Sequence, residues 1–129
     1  MRHLAIFVGD AIENILVGKK TIESRFSIHK IAPYGSVAKE DEIYLKKSGG
    51  GIVGRVFVDN VLYYENFGSK GLSEFRKMYS DDLCVDEKFW EEKKKANFVS
   101  LIFLKDPERF VACVKYKKQD RRPWVIMSD

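Results

Sequence analysis

The sequence predicts an α+β fold: a small, mostly antiparallel, closed β-barrel decorated by about three helices. Three observations predict it. Short apolar segments of strand length are separated by Gly- and Pro-containing turns. Helical patterns stand among them without strand–helix–strand alternation. No repeat, linker or low-complexity tract divides the 129 residues, so residues 1–129 read as a single domain.

His3 to Val8 forms the first predicted strand. Asp10-Ala11-Ile12-Glu13 has the form of a capping box, and Ile12, Ile15 and Leu16 share one face of a short helix over 10–18. Gly18 suits the left-handed residue that ends it. From Thr21 the period changes to two: Ile22, Ser24, Phe26 and Ile28 fall on one face, and Thr21, Glu23, Arg25 and Ser27 on the other. Ala32 to Ser36 is loop material. Glu42 to Lys46 is a strand, and Gly49-Gly50-Gly51 is its hairpin connection. No Gly-Lys-Ser/Thr follows those glycines, so they are not a phosphate loop. Ile52 to Tyr64 is a long strand with a bulge expected at Gly54. Helices are predicted over 70–80 and 86–96, the second burying Phe89 and Trp90 and wetting the charged run Glu91 to Lys95. Asn97 to Leu104 is an apolar strand, Asp106-Pro107-Glu108 turns it, Arg109 to Tyr116 returns, and Pro123 to Met127 closes the set.

Composition bounds the function. A hydrophobic share of 45% with 13% aromatic supports a packed core and argues against disorder. No apolar run approaches the roughly 20 residues that span a bilayer. The first apolar run stops at Gly9-Asp10, too soon for a signal peptide, so a cytoplasmic location is expected and no membrane partner. Cys84 and Cys113 lie far apart without a CxxC spacing, and His3 and His29 complete a poor ligand set. Reduced thiols, no metal and no cofactor are therefore expected. The net charge of +4 permits binding to an anionic polymer without establishing it.

The most informative stretch is Gly18-Lys19-Lys20-Thr21-Ile22-Glu23-Ser24-Arg25, which places the cations Lys20 and Arg25 and the carboxylate Glu23 around a predicted helix-to-strand corner. Lys20 suits a phosphate or a base carbonyl as a point charge. Glu23 suits an exocyclic amine. Arg25 suits either a two-pronged grip on phosphate or the orientation of Glu23. In a catalytic set, Lys20 would be the base and Glu23 the acid. A structural ion pair is the alternative, although single surface pairs contribute only about 0–1 kcal/mol.

Gly18-x-Lys20-x-x-Glu23-x-Arg25 resembles the GxKxxExR signature of ASCH domains, the group named for activating signal cointegrator homology. The element order over residues 4–64 is similar too, and Arg122-Pro123-Trp124 before a closing strand resembles the ends of related PUA-like proteins. The resemblance implies a PUA-like barrel with a cleft beside the signature strand, taking RNA or a nucleoside or nucleotide. It also implies an alternative, since some small members are amidohydrolases of acylated cytidine-type nucleosides and others are proposed ribonucleases. In that hydrolase pattern a threonine nucleophile follows the lysine by three residues. Here Glu23 holds that position, and Thr21 stands two residues away.

Further candidates extend the site. Tyr34 and Ser36 follow the signature strand in a loop. Lys115 to Trp124 carries five cations against one acid, with Lys117, Lys118, Arg121 and Arg122 flanked by Tyr116 and Trp124. Cations with aromatic partners are how single-stranded RNA is held. Glu65 is a candidate second carboxylate. The leading reading is an RNA- or nucleotide-binding domain. The rival is a small hydrolase, a protein-interaction adaptor is a third possibility, and oligomeric state is left open.

Overall fold

The computed structural model describes residues 1–117 and 121–127. In chain order the elements are β1 (Arg2–Phe7), α1 (Ala11–Leu16), β2 (Ile22–Ser27), β3 (Glu42–Lys47), β4 (Ile52–Tyr64), α2 (Gly68–Leu83), α3 (Glu87–Glu92), β5 (Phe98–Val114) and β6 (Trp124–Met127). The strands form one six-stranded sheet in the order β2-β5-β4-β3-β1-β6. Among the described residues only β1 and β3 run parallel, and every other pairing is antiparallel. Among the described residues no helix is long and apolar enough to cross a membrane.

The sheet curls into a half-barrel with two cores. Alternation along β5 sends Ile102 into the barrel, against Ala5, Phe7, Val56, Val58 and Trp124. It sends Val99 and Leu101 to the outer face, where Leu72, Phe75 and Leu83 of α2 and Trp90 of α3 cover them. The same alternation in β2 puts Ile22 and Phe26 under the helices.

The expected closed barrel is instead an open curl. Among the described residues β2 and β6 are the two sheet edges and share no backbone ladder. The Arg25 side chain spans the seam, donating from Nη2 to the Ile6 carbonyl at 3.1 Å and from Nη1 to the Pro123 carbonyl at 3.3 Å.

Four local expectations are corrected. Residues 98–114 are one continuous strand, not a hairpin, and Asp106 is absorbed at φ 52°. Pro107 is tolerated because β2 pairs only as far as Phe103, leaving β5 an open side beyond it. Asp10 makes no side-chain cap, and Glu13 pairs with Arg109 at 2.7 Å instead of reaching back. Ile28 is 54% exposed, because β2 ends at Ser27. The third helix stops at Glu92, capped at its start by Asp86, whose Oδ1 accepts from the Phe89 amide at 3.0 Å. The bulge at Gly54 is present, for the register with both neighbours slips there. A Cβ at this position would meet the Glu108 carbonyl oxygen at 2.6 Å, so only glycine fits.

Candidate functional site

The corner before β2 is built by backbone. Gly18 adopts φ +80°, and the amides of Lys19 and Lys20 both donate to the Asn14 carbonyl at 2.9 Å. Thr21 then locks the chain on both sides: its amide donates to the Asp82 carbonyl, and its carbonyl accepts from the Leu104 amide. These bonds aim the Lys20 side chain inward, where it is 5% exposed. Its ammonium donates to the Leu83 carbonyl and lies 3.2 Å from Glu23 Oε1.

Glu23 is the hub. Oε1 accepts from Lys20 Nζ and from the Ser24 amide, both at 3.2 Å. Oε2 accepts from Arg25 Nε at 3.0 Å and Nη2 at 2.9 Å. Burial alone would push this carboxyl up. The charges of Arg25 and Lys20, with their hydrogen bonds, outweigh burial and hold it below its ordinary range. Arg25 also packs its guanidinium over Phe7 and Trp124, at 4.9 and 5.2 Å from the ring centres. Trp124 is fixed in turn, because its Nε1–H donates to Nδ1 of buried His3 at 3.1 Å. His3 Nε2 lies 2.8 Å from Asp41 Oδ2.

Lys20, Glu23 and Arg25 therefore meet, and they line a cleft of about 550 Å³. One wall is the end of β1 and the residue after it (Ile6 to Val8) with Asp10 and Asn14, and the other is Cys84, Val85, Phe89, Glu92 and Lys93 from the helical pair and its turns. The Ser24 hydroxyl and the Asn14 carboxamide make no hydrogen bond among the described residues, and both residues line the cleft. Cys84 stands at φ 56° where α2 ends, which turns the chain so that Val85 and Phe89 reach the opening.

Not every predicted site residue is brought here. Tyr34 packs edge-on against Tyr63 and Phe98, each at 5.1 Å, and borders a separate cavity behind Arg25. Ser36 is held in its own loop, its amide donating to the Pro33 carbonyl, and is not part of the cleft lining. Lys117, Arg121 and Arg122 are exposed outside the cleft, and Lys118 lies outside the described residues. Glu65 is exposed beyond the end of β4, away from Glu23. The additional carboxylates of the cleft are Asp10 and Glu92, contributed by elements far apart in sequence. Among the described residues no group of His, Cys, Asp or Glu is placed to hold a metal.

No protein-family model matches the sequence, and no curated protein does. Solved structures do match. The crystal structure of ASCH from Zymomonas mobilis superposes with a TM-score of 0.76 at 11% identity, covering 98% of this chain and 87% of that one. A hypothetical protein, PH0355, superposes with a TM-score of 0.58 at 22% identity, covering 83% of this chain and 99% of that one. The N-terminal domain of Staphylothermus marinus McrB gives 0.52 at 11% identity, over 89% and 76%. The curled six-stranded sheet, its three helices and this near-complete superposition lead to one conclusion: the chain has the α+β, PUA-like fold of an ASCH domain.

Proposed function

We propose that the domain binds RNA or a nucleotide and seats one nucleoside unit in the cleft floored by Lys20, Glu23 and Arg25. The observation that carries this reading is how the three charges divide their bonds. Glu23 accepts four N–H groups and has no capacity left, so it acts as the brace. Arg25 is committed to Glu23, Ile6 and Pro123. The Lys20 ammonium has three protons and two protein acceptors, Leu83 and Glu23, which leaves one N–H for an oxygen in the cleft. The Ser24 hydroxyl and the Asn14 carboxamide add donors and an acceptor, and Phe89 adds an apolar face. A base edge presents that mixture of carbonyl, ring nitrogen and amine beside a flat ring. The resemblance of the signature to RNA-linked ASCH domains supports the same reading.

Less favours the hydrolase alternative. Thr21 is exposed and outside the cleft lining, and Glu23 is held ionised, which suits bracing rather than proton donation. The test is calorimetric titration with nucleosides, 5′-monophosphates and short RNAs. Saturable binding by the wild-type chain, lost at least tenfold in Lys20→Met, is the expected result. Equal affinity in the two proteins overturns the cleft as the binding site.

A further inference from the structure

We infer that the small cavity behind Arg25 is a second base subsite, taking the edge of the nucleotide next to the one in the cleft; this rests on the reading that the domain binds RNA. The cavity measures about 60 Å³, and its walls include Arg25, Pro33, Tyr34, Phe98, Ser100 and Trp124. Arg25 is the shared wall: it lines both the cleft and this cavity. One extended strand of nucleic acid passing Arg25 therefore presents successive bases to both.

The chemistry of the walls selects the occupant. Four aromatic residues and two prolines give flat apolar surfaces, with Tyr34 set edge-on to Phe98 at 71°. Base–aromatic contact is the usual means of gripping single-stranded nucleic acid, and it tolerates any base. Ser100 pairs with Arg25 across the β2–β5 ladder, so its side chain shares the inner face. It is 1% exposed and lines the cavity. Ser100 offers the cavity a hydroxyl that can donate to or accept from an exocyclic group on a base edge. The volume is about that of two water molecules in the liquid, enough for the edge of one base and its exocyclic group.

Charge favours RNA over a peptide. Pro123 and Trp124 line the cavity directly after Arg121 and Arg122, which are both exposed. A phosphodiester backbone is drawn to the cationic side, with its bases turned inward on either side of Arg25.

The experiment compares a labelled single-stranded RNA tetranucleotide, read by fluorescence anisotropy, with 5′-mononucleotides, read by calorimetry. The proteins are wild type, Tyr34→Leu and Ser100→Ala, each checked by thermal unfolding; Ser100→Ala removes one oxygen and leaves the packing intact. The wild-type chain is expected to bind the tetranucleotide at least tenfold tighter than a mononucleotide. Tyr34→Leu should weaken the tetranucleotide about tenfold and Ser100→Ala about threefold, with mononucleotide affinity unchanged within twofold. Wild-type affinity for the tetranucleotide in both variants means that the cavity holds water only and overturns the proposal. So does an equal loss for both ligands, or no tetranucleotide binding at all. If mononucleotides fail to bind while the tetranucleotide keeps its dependence on Tyr34 and Ser100, the subsite stands and the cleft reading falls.

Discussion

Arg25 and Trp124 seal the open side of the half-barrel between them. The guanidinium carbon sits 5.2 Å from the indole centre, and Nη1 donates to the carbonyl of Pro123, the residue before Trp124. The seam that a barrel would close with a backbone ladder is bridged here by the Arg25 side chain. That same side chain holds Glu23, and Glu23 holds Lys20.

Breaking this bridge leaves a buried carboxylate short of a partner. The Arg25 and Glu23 side chains are 17% and 10% exposed, so solvent compensates little. Arg25→Met should lower unfolding free energy by about 3 kcal/mol, measured by urea denaturation. Adding Glu23→Leu should recover part of that loss, because no unpaired charge remains. Strictly additive losses in the double variant would contradict the bracing role of Glu23.

Acid should weaken the fold through Glu23. Its folded-state pKa lies below the ordinary value of 4.5. The folded state therefore favours the ionised carboxylate, and the resulting stability is fully present above that value. It disappears as pH falls through the folded-state pKa. The stability gap between wild type and Glu23→Gln should be largest near neutrality and shrink below about pH 4.5. Asp41 titrates in the same direction: burial would raise its pKa, but bonds from His3, the Ala38 amide and the chain amino group lower it. Both proteins retain Asp41, so the difference between them isolates Glu23. A gap that stays constant with pH would contradict the account.

The basic segment should set salt dependence rather than the fit of one nucleoside. Alanine at Lys117, Lys118, Arg121 and Arg122 should weaken short RNA by tenfold or more. It should also flatten the plot of log affinity against log salt, by about 0.7 for each phosphate that is no longer neutralised. Mononucleotide affinity should change little, because Lys117, Arg121 and Arg122 lie outside the cleft. An unchanged slope removes the segment from the nucleic-acid path.

Local pattern made part of this legible. The two-residue period from Thr21 put Glu23 and Arg25 on one face, and the glycine before the strand marked the corner that aims Lys20. What pattern could not reach is carried by long-range packing. Asp10, Asn14, Phe89 and Lys93 enter the cleft from α1, α3 and the turns beside them, and no spacing rule joins those segments to β2. Phe89 read as a core residue because a helical face looks alike whether it covers a sheet or rims a cleft. Ser100 carried no signal at all inside an apolar strand. Asp106-Pro107 read as a turn because those residues favour turns wherever a strand would need both edges, and β5 there has one edge free.

The most direct test is a crystal structure of the chain soaked with a nucleoside 5′-monophosphate. Ordered density is expected in the cleft, with a ligand oxygen within hydrogen-bonding distance of Lys20 Nζ and the base edge against Ser24 and Asn14. A ligand bound elsewhere, with the cleft filled only by water at saturating concentration, would contradict it.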